Sequence, residues 1–330
     1  MKTVLVTGAA GFIGWMVSRK LLEKGYAVLG VDNLNDYYDP RLKEWRLTAL
    51  REHQNFRFFT LDIADYDGLR AVVAPEKVTG LLGGQVDAVI NLAARAGVRA
   101  SVENPWIYLD ANVRGTLNLL ECAREFGIKK VVLASTSSLY GLNKLPFRES
   151  DNTDSPLAPY AATKKAAEAL CYSYHYLYGI DIIIPRYFTV YGPAGRPDMS
   201  YFRFIVDIDK GREIPVYGDG KQKRDFTYID DIADGTVKCL QCFGYEIFNL
   251  GNDAPVELME VIHYIEANLG RKAKISWLER HPADVPATWA DIEKARTLLQ
   301  WAPSVSIGEG LGKTVQWYRE NKEFLLTLKV

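Results

Sequence analysis

The sequence predicts an α/β protein built on a doubly wound parallel sheet, with a smaller C-terminal α/β lobe. Short apolar runs alternate with helical patterns through the first half of the chain. Strands that are apolar along their whole length are typical of a parallel sheet covered by helices on both faces. Strands are predicted at 3–7, 26–31, 56–61, 86–92, 130–134 and 180–185, and long helices at 106–126 and 160–178.

The alternation becomes looser after about residue 190. Residues 191–198 read YGPAGRPD, which is the composition of a loop. We therefore predict two parts with an interleaved boundary, 1–190 carrying the catalytic residues and 191–330 forming the substrate-binding lobe. Within the lobe, short strands are predicted at 214–216, 226–229 and 247–250, and helices at 231–242, 256–269 and 307–321.

Composition narrows the possible functions. The 330 residues include 40 basic and 41 acidic side chains, with 48% apolar residues, which predicts a globular chain and disfavours nucleic-acid binding through bulk charge. No apolar stretch reaches the ~18 residues of a membrane span. The four cysteines predict no disulfide framework, and Cys239 and Cys242 are expected to pack in the core. No metal site is predicted, and the pattern favours a cytoplasmic protein.

A glycine-rich segment follows the first predicted strand and opens the first helix. It reads TGAAGFIG and places glycine at Gly8, Gly11 and Gly14. The first glycine permits a tight turn, the second lets the backbone approach a pyrophosphate, and the third lets helix and strand pack closely. The helix N-terminus offers free N–H groups to the phosphates. This context predicts a dinucleotide site.

Two acidic residues stand at the tips of the next strands. The carboxylate of Asp32 can accept hydrogen bonds from the ribose hydroxyls of the dinucleotide and would repel a 2′-phosphate. This favours NAD over NADP. Asp62 is a candidate contact to the adenine edge, and a strand-end cap explains it nearly as well.

A third motif combines Tyr160 and Lys164, which stand four residues apart at the start of a helix and so share one face. A phenol has a pKa of about 10, too high for a base at neutral pH. A nearby ammonium and a positive nicotinamide ring would lower that pKa. Thr136 lies just past the fifth strand, at the edge of the sheet where ligands bind.

With these residues the chain resembles the extended branch of the short-chain dehydrogenase/reductase superfamily, which has a Rossmann sheet. The resemblance is carried by TGAAGFIG, by NLAA at 91–94, and by Thr136, Tyr160 and Lys164. Asn112 resembles the structural Asn of the branch. The resemblance implies that Thr136, Tyr160 and Lys164 are catalytic and that NAD is the cofactor. The implied cofactor contacts are Gly8, Gly11, Phe12, Ile13, Gly14, Asp32, Asn33, Asp62, Ile63, Leu92, Ala93, Ala94, Tyr160 and Lys164.

Four segments narrow the resemblance further, namely 32–42, 96–105, 186–199 and 223–231. Together they resemble the UDP-glucuronate 4-epimerases, which make UDP-galacturonate. Galactose-type epimerases usually carry Asn where this chain has Thr189. The 4,6-dehydratases carry Asp-Glu where it has Ser137 and Ser138, and the decarboxylases usually carry Glu in place of Ser138.

The implied reaction is a reversible cycle with no net redox change. Tyr160, assisted by Thr136, removes the O4 proton, and hydride leaves and returns at C4 while NAD stays bound. The 4-keto intermediate is a β-keto acid, which loses CO₂ readily. Ser137, Ser138 and Thr189 are neutral hydroxyl donors that we expect to hold the sugar carboxylate without promoting this loss.

The remaining substrate contacts are implied residue by residue. Arg224 matches an arginine that binds the diphosphate, Tyr217 an aromatic that packs on uracil, and Asp284 an acceptor for the uridine ribose. Arg196 and Arg99 are candidates for the sugar or the diphosphate. A surface position would explain Arg224, and core packing would explain Tyr217 about as well.

Other functions stay open. The nearest is a UDP-hexose 4-epimerase that acts on neutral sugars. A net oxidoreductase and a non-catalytic NAD sensor are the others, and the presence of both Tyr160 and Lys164 argues against the sensor. Two residues depart from the family pattern. Related epimerases often have Arg or Gln at the position of His281, and this family more often has Gln at the position of Arg95.

The resemblance also implies a homodimer. In this arrangement the helices at 106–126 and 160–178 pair across the interface. Burial within one subunit would explain their apolar content equally.

Overall fold

A computed structural model describes residues 1–82, 84–279 and 285–329. Its strands are β1 (Thr3–Thr7), β2 (Ala27–Asp32), β3 (Phe56–Thr60), β4 (Val86–Asn91), β5 (Lys130–Leu133), β6 (Ser135–Thr136), β7 (Asp181–Tyr187), β8 (Thr189–Tyr191), β9 (Glu213–Tyr217), β10 (Lys223–Tyr228), β11 (Tyr245–Leu250), β12 (Pro255–Glu257) and β13 (Lys274–Leu278). Its α-helices are α1 (Phe12–Glu23), α2 (Pro40–Arg51), α3 (Tyr66–Val73), α4 (Pro75–Leu82), α5 (Val98–Glu103), α6 (Trp106–Tyr108), α7 (Gly115–Glu125), α8 (Pro159–Tyr178), α9 (Ser200–Asp209), α10 (Ile229–Lys238), α11 (Leu258–Leu269), α12 (Glu293–Leu298), α13 (Ile307–Glu320) and α14 (Lys322–Leu326).

The main sheet is parallel throughout. Its strand order is β11-β7-β5-β4-β1-β2-β3, and the short β6 pairs with β7. The chain leaves β1 in one direction across the sheet and returns to β4 on its other side. The carboxyl ends of β1 and β4 therefore border the crevice where open α/β sheets bind ligands. The predicted doubly wound sheet is confirmed.

Helices cover both faces of this sheet, and the side chains of β1 show why. All five residues of β1 are buried, and successive side chains point to opposite faces. Val4 and Val6 belong to one hydrophobic cluster, whereas Leu5 belongs to another. A strand with two buried faces is apolar on both of them, as β1 is at Val4, Leu5 and Val6.

The second half of the chain is divided between the main sheet and two smaller ones. β8, β10 and β12 form a three-stranded sheet, and β9 and β13 form a two-stranded one. β11 instead joins the edge of the main sheet beside β7. Residues after 190 thus contribute to both regions, and the division at residue 190 stays a prediction.

One predicted element differs in kind. The sequence predicts a single helix at 106–126, whereas the structure has α6, a π-helical turn at Leu109–Arg114, and then α7. Asn112 lies in this wider turn. Its amide accepts from the backbone N–H of Arg95 at 2.9 Å and donates to the hydroxyl of Thr163 at 3.0 Å. Turns of this kind recur at functional sites, and an apolar pattern does not distinguish them from regular helix.

Arg46 of α2 is a fully buried side chain that joins three segments. Its guanidinium donates to the carbonyl of Ala10 at 3.1 Å and to the hydroxyl of Tyr38 at 2.6 Å. It also donates to the carbonyls of Ala194 at 2.7 Å and Gly195 at 3.2 Å. These bonds connect the glycine-rich loop to the loop that precedes Arg196.

We expect Arg46→Met to lower the free energy of unfolding by about 3 kcal/mol or more, because buried carbonyls and a hydroxyl lose their donor. The matched control is Arg51→Met on the same helix. Arg51 is exposed and pairs with Glu44, so its loss should cost less than about 1 kcal/mol. Denaturant unfolding of both variants measures the difference. Equal losses would contradict a structural role for Arg46.

Candidate active site

A cavity of about 670 Å³ lies at the carboxyl ends of the central strands. This size is in the range of pockets that bind small molecules and cofactors. The cofactor contacts expected from the sequence all line it: Gly8, Gly11, Phe12, Ile13, Gly14, Asp32, Asn33, Asp62, Ile63, Leu92, Ala93, Ala94, Tyr160 and Lys164. Thr136, Ser137, Ser138, Thr189 and Arg196 line the same cavity.

The glycine-rich loop turns tightly and packs closely on the neighbouring backbone, so two of its glycines have no room for a side chain. Gly8 has a φ of +66°, and a Cβ there would lie 2.8 Å from the backbone nitrogen of Ala93. A Cβ on Gly14 would lie 2.0 Å from the carbonyl oxygen of Gly8. α1 begins directly after Gly11 with no acidic residue in its first turn, so its unpaired N–H groups face no negative side chain. The cradle therefore fits a pyrophosphate.

The tips of β2 and β3 form the far end of this cradle. The buried carboxylate of Asp32 accepts from the backbone N–H groups of Leu34 at 2.8 Å and Ala10 at 3.3 Å. The ammonium of Lys43 lies 3.4 Å from it and balances its charge. The side-chain amide of Asn33 donates to Asp62 at 2.8 Å. Two residues far apart in the sequence thus meet where an adenosine would lie.

The catalytic candidates meet between β6 and α8. Ala158 is the N-cap of α8, and Pro159 is its first residue, a position that suits proline. Tyr160 and Lys164 therefore lie one turn apart near the N-terminus of the helix. Tyr160 is half-buried and Lys164 is buried. Burial raises the pKa of Tyr160, and a hydrogen bond from Thr136 and the positive charge of Arg196 act in the opposite direction.

The electrostatics add one cation to those that the sequence indicated. Besides the ammonium that we expect to lower the pKa of Tyr160, the positive charge of Arg196 acts on this phenol in the same direction. Burial lowers the pKa of Lys164 to about 8, and the charge of Glu168, one turn further along α8, opposes this effect. Lys164 is thus coupled to a carboxylate beneath the site.

Neutral hydroxyl groups surround the reacting position. Thr136 ends β6, and its hydroxyl lies 3.2 Å from that of Ser138 and accepts from the backbone N–H of Ser138 at 3.1 Å. Ser137 begins the 3₁₀ turn that follows. Thr189 begins β8 on the opposite side. No carboxylate stands at positions 137, 138 or 189.

Arg196 holds the mouth of the cavity together with an aromatic ring. Its guanidinium lies 5.3 Å from the ring centre of Tyr37 and pairs with Asp198 at 2.6 Å. Arg95 lies over the same ring at 5.3 Å. Tyr37 is therefore held between two cations, both of which line the cavity.

The other predicted substrate contacts lie beyond this cavity. The guanidinium of Arg99 packs on the ring of Tyr217 at 4.3 Å. Arg224 donates to the carbonyl of Lys223 at 2.8 Å and lies next to the buried Asp225 on β10. Asp284 and His281 lie outside the described residues.

Sequence reasoning missed several residues of the site. Lys43, Tyr37 and Arg46 come from the segment after β2, whereas Glu168 lies on α8 and Arg186 on β7. Only Glu168 had a usable signal, since it continues the four-residue spacing of Tyr160 and Lys164. The others act through long-range contacts that no local pattern shows.

Comparison with known proteins places this site in a family. Residues 5–314 match the family model described as GDP-mannose 4,6 dehydratase. The chain is 56% identical over 327 residues to a UDP-glucuronate 4-epimerase of Thermodesulfobacterium geofontis, with 99% of each chain covered.

Two solved structures are similar along nearly the whole chain. UDP-glucuronic acid 4-epimerase from Bacillus cereus, in complex with UDP-glucuronic acid and NAD, has a TM-score of 0.88 and 36% identity, covering 96% of this chain and 99% of that chain. UDP-glucose 4-epimerase from Thermotoga maritima, in complex with UDP-glucose, has a TM-score of 0.86 and 28% identity, covering 97% and 99%. The chain therefore belongs to the extended short-chain dehydrogenase/reductase family, as a relative of the UDP-glucuronate 4-epimerases.

Proposed function

We propose that this protein is an NAD-dependent isomerase that interconverts UDP-glucuronate and UDP-galacturonate by inverting C4. One observation carries the proposal: a dinucleotide cradle and the Thr136, Tyr160 and Lys164 side chains share one cavity, whose reacting end presents hydroxyl groups and Arg196. A relative 56% identical over 327 residues is a UDP-glucuronate 4-epimerase.

The chain's own residues supply binding and proton transfer. Bound NAD supplies a hydride acceptor and donor for C4 of the sugar. Tyr160 as the phenolate takes the O4 proton and becomes a phenol, and a hydrogen bond from Thr136 favours the phenolate form before this transfer. Lys164 adds a positive charge one turn away and binds the ribose of the cofactor. When the 4-keto sugar has turned over in the cavity, Tyr160 returns the proton to O4 as hydride is restored to the opposite face of C4.

The site must also restrain a β-keto acid. The intermediate loses CO₂ most readily when no polar group stabilises the negative charge of its carboxylate. Ser137, Ser138 and Thr189 can donate hydrogen bonds to it, and the guanidinium of Arg196 adds a positive charge near the phenol. These donors favour the carboxylate over the neutral CO₂ product.

Two rivals are disfavoured by specific residues. The family model is described as a dehydratase, but Ser137 and Ser138 stand where the dehydratases have Asp and Glu, so no acid is placed for water elimination. Against a neutral-sugar epimerase, the chain has Thr189 where the galactose-type epimerases usually carry Asn. The identity of 56% to a glucuronate epimerase, against 28% to a UDP-glucose epimerase, also supports the acidic substrate.

The nucleotide end of the substrate is assigned to the lobe in 191–330. We propose that Arg224 binds the diphosphate, Tyr217 packs on the uracil, and Asp284 accepts from the uridine ribose. Arg99, which packs on Tyr217, supports this end. This division of labour from the catalytic part in 1–190 is likewise a proposal.

The decisive experiment follows the purified protein with UDP-glucuronate and no added NAD by proton NMR. We expect UDP-galacturonate to appear until the two epimers reach a comparable mixture, because retained cofactor cycles without net change. A UDP-pentose product would contradict the role given to Ser137, Ser138 and Thr189. If UDP-galactose alone were turned over after NAD is added, the neutral-sugar rival would replace the proposal.

We expect Tyr160→Phe to lower kcat by about 10²–10⁴-fold, because the proton acceptor is lost while the ring stays in place. NAD retention, measured by the cofactor released on denaturation, should be unchanged. Tyr264→Phe on α11 removes a phenol away from the cavity and is the matched control. Activity retained in Tyr160→Phe would exclude this residue as the base.

We also propose a homodimer. Large apolar side chains are exposed on the packed segments from α6 to α8, including Trp106 at 73% and Tyr176 at 78% exposure. Exposed apolar surface of this kind marks interaction sites, and a second copy would cover it through a two-fold axis. The others are Leu109, Leu117, Tyr172 and Leu177.

Light scattering after size exclusion should give a mass twice that of the 37.2 kDa chain. A double variant, Tyr176→Glu with Leu177→Glu, should be monomeric because charge is placed on the covered surface. Trp277→Glu is the control, since Trp277 is 55% exposed and lies on β13 of the two-stranded sheet. A monomeric wild-type protein would refute the dimer.

A cytoplasmic location completes the proposal. Within the described ranges no helix has both the length and the apolarity to cross a bilayer. The four cysteines are unpaired, which suits a reducing compartment.

A further inference from the structure

We propose that Glu168 is a positioning residue for the epimerase reaction: it ties the strand that carries Thr136 to helix α8 and keeps Lys164 in its ammonium form. Glu168 does not line the cavity, so it acts through these two residues. The inference rests on the proposed function, since its readout is turnover of the nucleotide sugar.

The geometry begins with three buried ionic side chains beneath the reacting groups. Lys164, Glu168 and Arg186 are each no more than 3% exposed. Arg186 of β7 binds both oxygens of the Glu168 carboxylate, with Nε at 3.0 Å and Nη2 at 2.7 Å. This two-pronged contact fixes the carboxylate in position.

The same carboxylate reaches the strand that ends in Thr136. The hydroxyl of Ser135 donates to Oε1 of Glu168 at 2.6 Å. Ser135 and Thr136 are the two residues of β6, so this bond joins the base of α8 to the segment that contacts Tyr160. Loss of the bond would let Thr136 move relative to Tyr160.

The charge balance explains why a carboxylate is needed there. Arg186 and Lys164 are two buried cations, and Glu168 is the buried anion that pairs with Arg186 and stands one helical turn from Lys164. Among the described residues the side chain of Lys164 makes no hydrogen bond to another protein group, so Glu168 supplies the protein charge that favours its ammonium.

The other titratable groups around Glu168 do not replace it. Cys171 lies on the same helix, and burial holds its thiol neutral by raising its pKa. Tyr140 donates to Asn249 and accepts from Arg186. Tyr245 of β11 donates to the backbone carbonyl of Glu168 at 3.4 Å. Burial raises the pKa values of both phenols, so neither supplies negative charge at neutral pH.

The sign of the pH effect follows from the pKa of Lys164. Burial lowers this pKa to about 8, and the negative charge of Glu168 acts to raise it. The active form needs the ammonium, so its contribution is present below about pH 8 and is lost above it. Removing the carboxylate lowers the pKa of Lys164 further. The variant then loses its ammonium at a pH where the wild-type protein still holds it.

The test measures kcat of Glu168→Gln and of wild-type holoenzyme across the pH range. Glutamine keeps the shape and removes the charge. For a downward shift of about one unit in the pKa of Lys164, the ratio of variant to wild-type kcat should fall about fivefold to tenfold between about pH 6 and about pH 9. KM for UDP-glucuronate should change little.

Two variants separate charge from geometry. Ser135→Ala removes the bond between Glu168 and β6 and leaves the carboxylate in place. The ratio of its kcat to the wild-type kcat should therefore be lowered by the same factor at every pH. Glu266→Gln is the matched control, because Glu266 is also buried but bonds Lys272 and Ala273 at the far end of α11. The ratio of the Glu266→Gln kcat to the wild-type kcat should stay near one at every pH.

If Glu168→Gln is active and its kcat ratio to wild type does not change with pH, the charge role of Glu168 is overturned. If Ser135→Ala has the wild-type kcat, the link from Glu168 to Thr136 is overturned. A wild-type protein with no turnover would instead refute the proposed function. If Glu168→Gln fails to fold because Arg186 is unpaired, the double variant Glu168→Gln with Arg186→Gln removes both charges. It should show the same decline in the ratio, and a flat ratio there would also overturn the proposal.

Discussion

The four-residue spacing along α8 is the constraint on which the active site depends. It places Tyr160, Lys164 and Glu168 on one face of a helix whose start is fixed by proline. The first residue reaches the cavity, the second is buried beside it, and the third accepts from Ser135 below. Because Ser135 precedes Thr136 in β6, a single helix face sets the position of all the reacting groups. A change in the register of this helix would displace them together.

A second constraint joins the cofactor cradle to the substrate side. Arg46 spans the carbonyl of Ala10, in the glycine-rich loop, and that of Ala194, which precedes Arg196. It also fixes Tyr38, next to the Tyr37 ring on which Arg196 lies. A buried guanidinium with this many acceptors is rigid, because moving it would leave several polar groups without partners. The two halves of the cavity therefore keep a fixed separation during a reaction that requires the sugar to turn while the cofactor stays.

The sequence was sufficient for the parts of this protein that depend on local pattern. The apolar strands, the glycine-rich turn and the spacing of Tyr160 and Lys164 each follow from neighbours within a few residues, and the structure brings them to one crevice. The π-helical turn around Asn112 was missed because its register depends on contacts to Arg95 and Thr163. The effect of Arg196 on the pKa of Tyr160 was missed for the same reason, since the two residues are far apart in the sequence.

A few side chains determine the substrate specificity, whereas the backbone fold does not. A UDP-glucuronic acid epimerase and a UDP-glucose epimerase have nearly equal TM-scores to this chain, 0.88 and 0.86, so the path of the backbone does not separate their substrates. Under the proposed function the reacting end of the cavity does so, because the hydroxyl groups of Ser137, Ser138 and Thr189 can donate hydrogen bonds to a carboxylate that an acidic side chain would repel. A carboxylate kept hydrogen-bonded and near a cation would stay attached to the 4-keto sugar. On this proposal, inversion without loss of CO₂ depends on the charge at these positions, and it could change while the fold and the catalytic pair remain the same.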